Sequence, residues 1–274
     1  VLLDRVEFAT GELDDPGILA RIHQARSSRA MFSGDAGAYL ESEQAAAVAF
    51  EQAGDQRYAC MQRGHVGYAC LEIGAYADAE RWLRDALETG MRIGLQNVVA
   101  TAKHNLGRAL QYQGRLAEAL RVETEALEMF HAHGDRRLEA ATRIYVSNIL
   151  VDLCDFARAE HELRLALHNA LPAIRPQILA SLARVLLAGG RAADALALAR
   201  EASEVFEALG GVEEGESLIR LMLAEALHAT GARDPARAAA RTARDRVRAR
   251  AANIQKPEWR QSFLERIPEN ARTL

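Results

Sequence analysis

The sequence predicts an all-α solenoid of about six stacked helical hairpins with a C-terminal capping helix. Three observations predict it. A turn residue returns at near-constant intervals: Gly34, Gly74, Gly114, Cys154, Gly190 and Gly231, separated by 40, 40, 40, 36 and 41 residues. Small residues hold fixed places around each turn. Seven residues before it stand Ser27, Gly67, Gly107, Ser147, Ala183 and Ala224; twelve after it stand Ala46, Ala86, Ala126, Ala166, Ala202 and Ala243. Five after it stand Tyr39 in the first copy and Ala79, Ala119, Ala159, Ala195 and Ala236 in the others. Two antiparallel helices approach closely only where neither carries a bulky side chain, so this period marks nested pairs of rods. Finally, aromatic residues make up only 5% of the 274 residues, too few for a sheet protein.

The elements follow in order. Val1 to Leu13 reads as a helix, the end of an earlier repeat, within an N-terminal segment 1–17. Asp14-Asp15-Pro16-Gly17 starts the next helix with acidic caps and a Pro in the first turn. The solenoid spans 18–250. Its first hairpin, Ile18 to Gln52, has a turn, SGDAGAY, that reads as looser than the others. The second runs from Tyr58 to Ile93, and the third from Val99 to Asp135, with Gly134 as a left-handed stop after Phe130. The fourth is Glu139 to Asn169; Pro172 and Pro176 then shorten the link to the fifth, Gln177 to Leu209. The sixth is Glu213 to Arg250, with Pro235 tolerated near the start of its second helix. In the closing segment 251–274, Trp259, Phe263, Leu264 and Ile267 share one helical face, which reads as a lid over the last repeat.

The arrangement of small residues, turn glycines and paired alanines resembles the tetratricopeptide (TPR) repeat family, over Ile18 to Ala249. The repeat is longer than the usual 34 residues, and the early aromatic and the closing Pro are mostly missing. That is similar to the long-repeat TPRs of bacterial multidomain signalling proteins: LuxR-type regulators, signalling ATPases and Ser/Thr kinases with TPR tails. The phrase EWRQSFLERIPEN is similar to the endings of such regions. The resemblance implies a right-handed α-solenoid whose first helices line a concave groove for ligands.

Composition narrows the rest. A net charge of −4 gives no general pull toward nucleic acid. Cys60, Cys70 and Cys154 read as buried thiols on helices in a reducing cytoplasm. No apolar run is long enough for a membrane span, and no signal peptide opens the chain. The chain begins with Val1 and not Met, and so reads as a piece of something larger. Enzyme motifs are missing: no phosphate loop, no Gly-x-Ser-x-Gly, no calcium loop, and His161-Glu162 lacks the second His of a zinc helix. His131 and His133, two apart, point to different sides of a helix. No cofactor or metal is expected.

The candidate binding groove follows from the resemblance. Its residues are His65, Tyr68 and Glu72 of the second hairpin; His104, Asn105, Arg108 and Tyr112 of the third; Tyr145 and Asn148 of the fourth; Arg184 of the fifth; and Glu225 of the sixth. Leu71, Thr101, Ile144, Ser181, Met222 and His228 lie beside them. Asn105, Arg108, Asn148 and Arg184 suit a carboxylate, and the tyrosines suit apolar side chains. Asn105 and Asn148 match two positions of the carboxylate clamp found in some TPR proteins, but the Lys partners are missing, so that activity is not carried over. The Arg run from Arg233 to Arg250, diluted by Asp234 and Asp245, reads as a solvated surface. The expectation is a noncatalytic, cytoplasmic scaffold that binds a protein or peptide, upstream domains of the same chain included. A small-molecule sensor and a self-association module stay open as alternatives.

Overall fold

The computed structural model describes residues 15–168, 170–211 and 214–274; the expected helix at Val1 to Leu13 lies outside them. Among the described residues every regular element is a helix: α1 (Pro16–Ser33), α2 (Ala36–Gln52), α3 (Gln56–Glu72), α4 (Tyr76–Arg92), α5 (Gln96–Tyr112), α6 (Leu116–His133), α7 (Arg136–Asp152), α8 (Phe156–His168), α9 (Arg175–Ala188), α10 (Ala192–Leu209), α11 (Glu216–Ala229), α12 (Arg233–Asn253), α13 (Pro257–Glu265) and α14 (Pro268–Thr273).

All six predicted turn residues lie between helices in the left-handed region, with φ of 72° at Gly34, 77° at Gly74 and Gly114, 61° at Cys154, 75° at Gly190 and 82° at Gly231. The reason is a hydrogen-bond pattern that satisfies the last carbonyls of the preceding helix. At the second hairpin the Gly74 amide donates to the Leu71 carbonyl (3.0 Å) and the Ala75 amide to the Cys70 carbonyl (2.9 Å). The first hairpin does the same: Gly34 donates to Met31 (3.1 Å) and Asp35 to Ala30 (3.0 Å). Its turn is thus no looser than the rest, contrary to the reading of SGDAGAY. The turns between hairpins are built alike, at Gly54, Gly94, Gly134 and Gly210. Where Asp follows the turn residue, its carboxylate caps the next helix: Asp35 accepts from the Ala38 amide, Asp55 from Tyr58 and Asp135 from Leu138.

The described residues form two compact units, one ending at Gln113 and including Arg250–Phe263, the other Gly114–Ala249 with Leu264–Leu274. In the first unit the predicted small positions are buried seams: Ala46, Ala79 and Ala86 have no exposed surface and Ser27 has 3%. Gly67 is required outright, since a Cβ there would sit 2.5 Å from Cγ of Leu83 on α4. Aromatic rings stack at the edge of this unit, Phe50 on Tyr58 at 5.0 Å, with Arg21 over Tyr58 at 4.1 Å. Residues of the closing segment also pack here. Ile254 lies against Gly37, Lys256 pairs with Glu41 at 3.1 Å, and Phe263 is buried.

In the second unit Ala119, Ala126, Ala159, Ala183, Ala195 and Ala202 have no exposed surface. Two apolar clusters run through it, one around Ile144, Leu163, Ile178 and Leu182, the other around Leu179, Phe206, Ile219 and Met222. The closing segment is broken at Pro268 into α13 and α14, and α14 packs on α11. The expected lid is therefore divided: residues up to Phe263 belong with the first hairpins, and only Leu264–Leu274 reach the last repeat.

Cys60 and Cys70 are buried, as expected, and burial pushes the Cys70 thiol up to about 12. Cys154 is different. It is exposed, off the helices, and the only non-glycine residue with positive φ among those described.

Candidate functional site

The first helix of each hairpin places one residue six positions before the turn: Ser28, Tyr68, Arg108, Asn148, Arg184 and Glu225. From Tyr68 onward all are polar or aromatic and all are half-buried. Three positions earlier the row turns inward. His65 is exposed, but Asn105, Tyr145, Ser181 and Met222 are buried. The half-buried row is therefore the side of these helices that combines polar chemistry with access.

In the first unit, α3 and α5 are neighbours, and their candidate residues meet each other. Arg108 pairs with Glu72 at 3.1 Å and lies 5.8 Å above the ring of Tyr112. Tyr112 packs on Tyr76 at 4.7 Å, and Tyr68 meets Tyr39 edge-on at 6.3 Å. His104 is buried at 5% exposure and Asn105 at 6%. His65 stands 3.6 Å from Glu43, a buried carboxylate that the sequence reading missed. Glu43 accepts from the Ser27 hydroxyl and the Gln62 amide, and Gln24 donates to Gln62 at 3.1 Å. Paired in this way, a buried carboxylate is tolerable. A signal was available: nine residues after the turn, the position holding Glu43 and Glu123 carries Leu or Ala in the other copies.

In the second unit, α7, α9 and α11 are successive neighbours. They present Asn148, Arg184 and Glu225. The Tyr145 hydroxyl donates to Glu214 at 2.6 Å, which ties α7 to the chain two residues before α11. Arg184 lies 3.9 Å from Glu269, and Glu225 pairs with Arg272 at 2.6 Å. Glu225 also borders a cavity of about 730 Å³ whose floor is Leu187, Leu221 and Ala236 and whose rim carries His228, Arg233 and Arg272.

Carboxylates here are tuned by arginines. Burial alone would push Glu216 up, but Arg246 at 2.8 Å and Arg220 at 2.9 Å outweigh it and hold it below the ordinary range. Burial is likewise outweighed at Glu139, by Arg143 and His131. A hydrogen bond from Arg164, with Arg191 adding to it, holds Glu160 low. Arg246 of the basic run is thus part of an ion-pair cluster, and Arg237 and Arg244 pair with Asp234 and Asp245. His131 faces Glu139 at 3.3 Å. Among the described residues no cluster of three metal-ligating side chains occurs, and no helix is long and apolar enough to cross a membrane.

Residues 57–132 match the family model for the tetratricopeptide repeat. No curated protein matches the sequence significantly. Among solved structures, a Rap protein complexed with Competence and Sporulation Factor superposes with a TM-score of 0.70 at 14% identity, covering 99% of this chain and 78% of that one. The Rap conjugation gene regulator of plasmid pLS20, in complex with the Phr* peptide, gives 0.71 at 14% identity over 94% and 73%. NprR in complex with its cognate peptide NprX gives 0.65 at 14% identity over 100% and 84%. At this identity the likeness establishes the fold. With the family match over residues 57–132, the left-handed turns and the buried small-residue seams, the chain has a repeat fold of the tetratricopeptide type.

Proposed function

We propose that this chain is a noncatalytic peptide-binding module, and that the second unit holds the partner along Asn148, Arg184 and Glu225. One observation carries the reading. Three neighbouring helices each present a polar, half-buried residue at the same repeat position, so a bound segment meets an amide, a guanidinium and a carboxylate in sequence. Such a surface offers hydrogen bonds that order a peptide, beside apolar ground that contributes affinity. That the structurally similar Rap and NprR proteins are seen with peptides supports the same use here. The setting we favour is a bacterial, cytoplasmic regulator, in which peptide capture is passed on to other domains.

The test is peptide selection from a random display library, followed by fluorescence anisotropy. Selected peptides should bind the parent chain. Arg184→Glu and Asn148→Ala should each weaken them at least tenfold without loss of helical circular dichroism. Affinity unchanged in both variants would remove the assignment. A second reading, a small-molecule sensor, is favoured by the cavity beside Glu225. A metabolite screen by thermal shift separates the two: saturable stabilisation that Leu221→Trp abolishes supports the sensor.

A further inference from the structure

The last helix of the chain sits on the row assigned above. Pro268 starts α14 after an extended Ile267, and within it Glu269 and Arg272 are three residues apart, on one helical face. The two residues they meet, Arg184 and Glu225, occupy the same repeat position on neighbouring helices, with Glu269 at 3.9 Å from the first and Arg272 at 2.6 Å from the second. Between them Asn270 is 1% exposed, the most buried residue of the segment. An acid on the tail faces a base on the row, and one turn later a base faces an acid.

The fit is incomplete. Nη2 of Arg184 is buried with no hydrogen-bond partner, as is the hydroxyl of Ser181 one turn earlier on α9. A guanidinium is best satisfied by a bidentate carboxylate, and Glu269 approaches only the other nitrogen, Nη1, at a distance beyond hydrogen bonding. An unmet buried donor is a standing penalty, which a better-shaped carboxylate relieves.

We infer that residues 264–274 are a built-in occupant of the peptide row. The partner that displaces them is a peptide carrying an acidic residue followed three places later by a basic one, the pattern of Glu269 and Arg272. This rests on the peptide-binding reading and adds the chemistry of the ligand and the competition it must win. The acidic side chain of the incoming peptide takes both nitrogens of Arg184, its basic residue replaces Arg272 at Glu225, and α14 leaves the face of α11.

The test uses the full chain and one probe, a fluorescently labelled synthetic peptide with the sequence of residues 264–274. The parent, its row already taken, binds the probe weakly. The double variant Glu269→Lys/Arg272→Glu puts like charges against Arg184 and Glu225. It binds the probe at least tenfold more tightly, and amide exchange across residues 268–273 accelerates. Adding Arg184→Glu and Glu225→Lys restores the tail's own pairing, abolishes probe binding and slows exchange again. Equal probe affinity in the parent and the double variant, or unchanged exchange, overturns the inference. A double variant that takes the probe but no foreign peptide leaves the inference standing and removes the foreign-partner reading. Foreign peptides whose affinity ignores release of the tail do the reverse.

Discussion

In the first unit, the residue six places before the turn, Arg108, reaches Glu72 on the neighbouring first helix and covers the ring of Tyr112. In the second unit the same place holds Arg184 and Glu225, which meet Glu269 and Arg272 of the closing helix. One repeat register thus serves two purposes. Where the row residue finds its partner on the preceding repeat, it locks repeats together. Where the partner comes from a separate segment, the same position becomes a place for holding chain. The difference lies in the neighbours. Arg108 meets the carboxylate of Glu72 one hairpin earlier, whereas Arg184 meets that of Glu269 on α14.

This contrast can be broken at several points. The largest effect is expected where the first unit is locked most deeply. Glu43→Ala orphans the buried Gln62 and Ser27 donors and should destabilise by about 2–4 kcal/mol in urea titrations. Next is the helix seam. Gly67→Ala drives a methyl into Leu83 and should lose about 1–3 kcal/mol. Gly64→Ala, one turn earlier in open space, should gain ~0.5–1 kcal/mol from helix propensity alone. Opposite signs three residues apart would show that the small residue answers to packing and not to composition.

The row itself gives the sharper comparison. Arg108→Ala strands Glu72 and should lose about 1–2 kcal/mol of stability. Arg184→Ala should leave global stability within about 1 kcal/mol while loosening α14 in hydrogen exchange. A graded effect follows from pH. Glu139, Glu160 and Glu216 of the second unit are all held below the ordinary 4.5. Their contribution is present above that pH and is lost as pH falls through the lowered folded values, because the unfolded chain takes up protons first. Protection factors, corrected for the intrinsic pH dependence of amide exchange, should therefore fall in α7, α8 and α11 as pH drops from 7. The smallest effect concerns Cys154, held at φ of 61°. Cys154→Gly should stabilise by ~0.5 kcal/mol, and in the parent Cys154 should be labelled by a thiol reagent well before the buried Cys60 and Cys70.

The hairpins were legible in the sequence because turns and seams are local demands repeated at fixed spacing. Gly34 through Gly231 mark left-handed backbone wherever they stand, and Ala126 or Ala202 marks close approach whatever surrounds it. Cys154 was located by register alone, though its exposure was not foreseen. What was hidden depends on contacts distant in sequence. Whether Arg108 or Arg184 points at a neighbour or at a separate segment is set by residues 36 and 85 positions away, Glu72 and Glu269, and no periodicity encodes that. The division of the closing segment escaped for the same reason. Trp259, Phe263, Leu264 and Ile267 share a face by spacing, but Trp259 and Phe263 belong to the first unit and Leu264 and Ile267 to the second.

The most direct test of the account is photo-crosslinking from the row. A benzoylphenylalanine at position 152, exposed and one turn beyond Asn148 on α7, and another at position 121, on the exposed face of α6, are each irradiated with a selected peptide. Crosslinks at 152 and none at 121 are the predicted result. Equal crosslinking at both, or crosslinking at 121 alone, would contradict it.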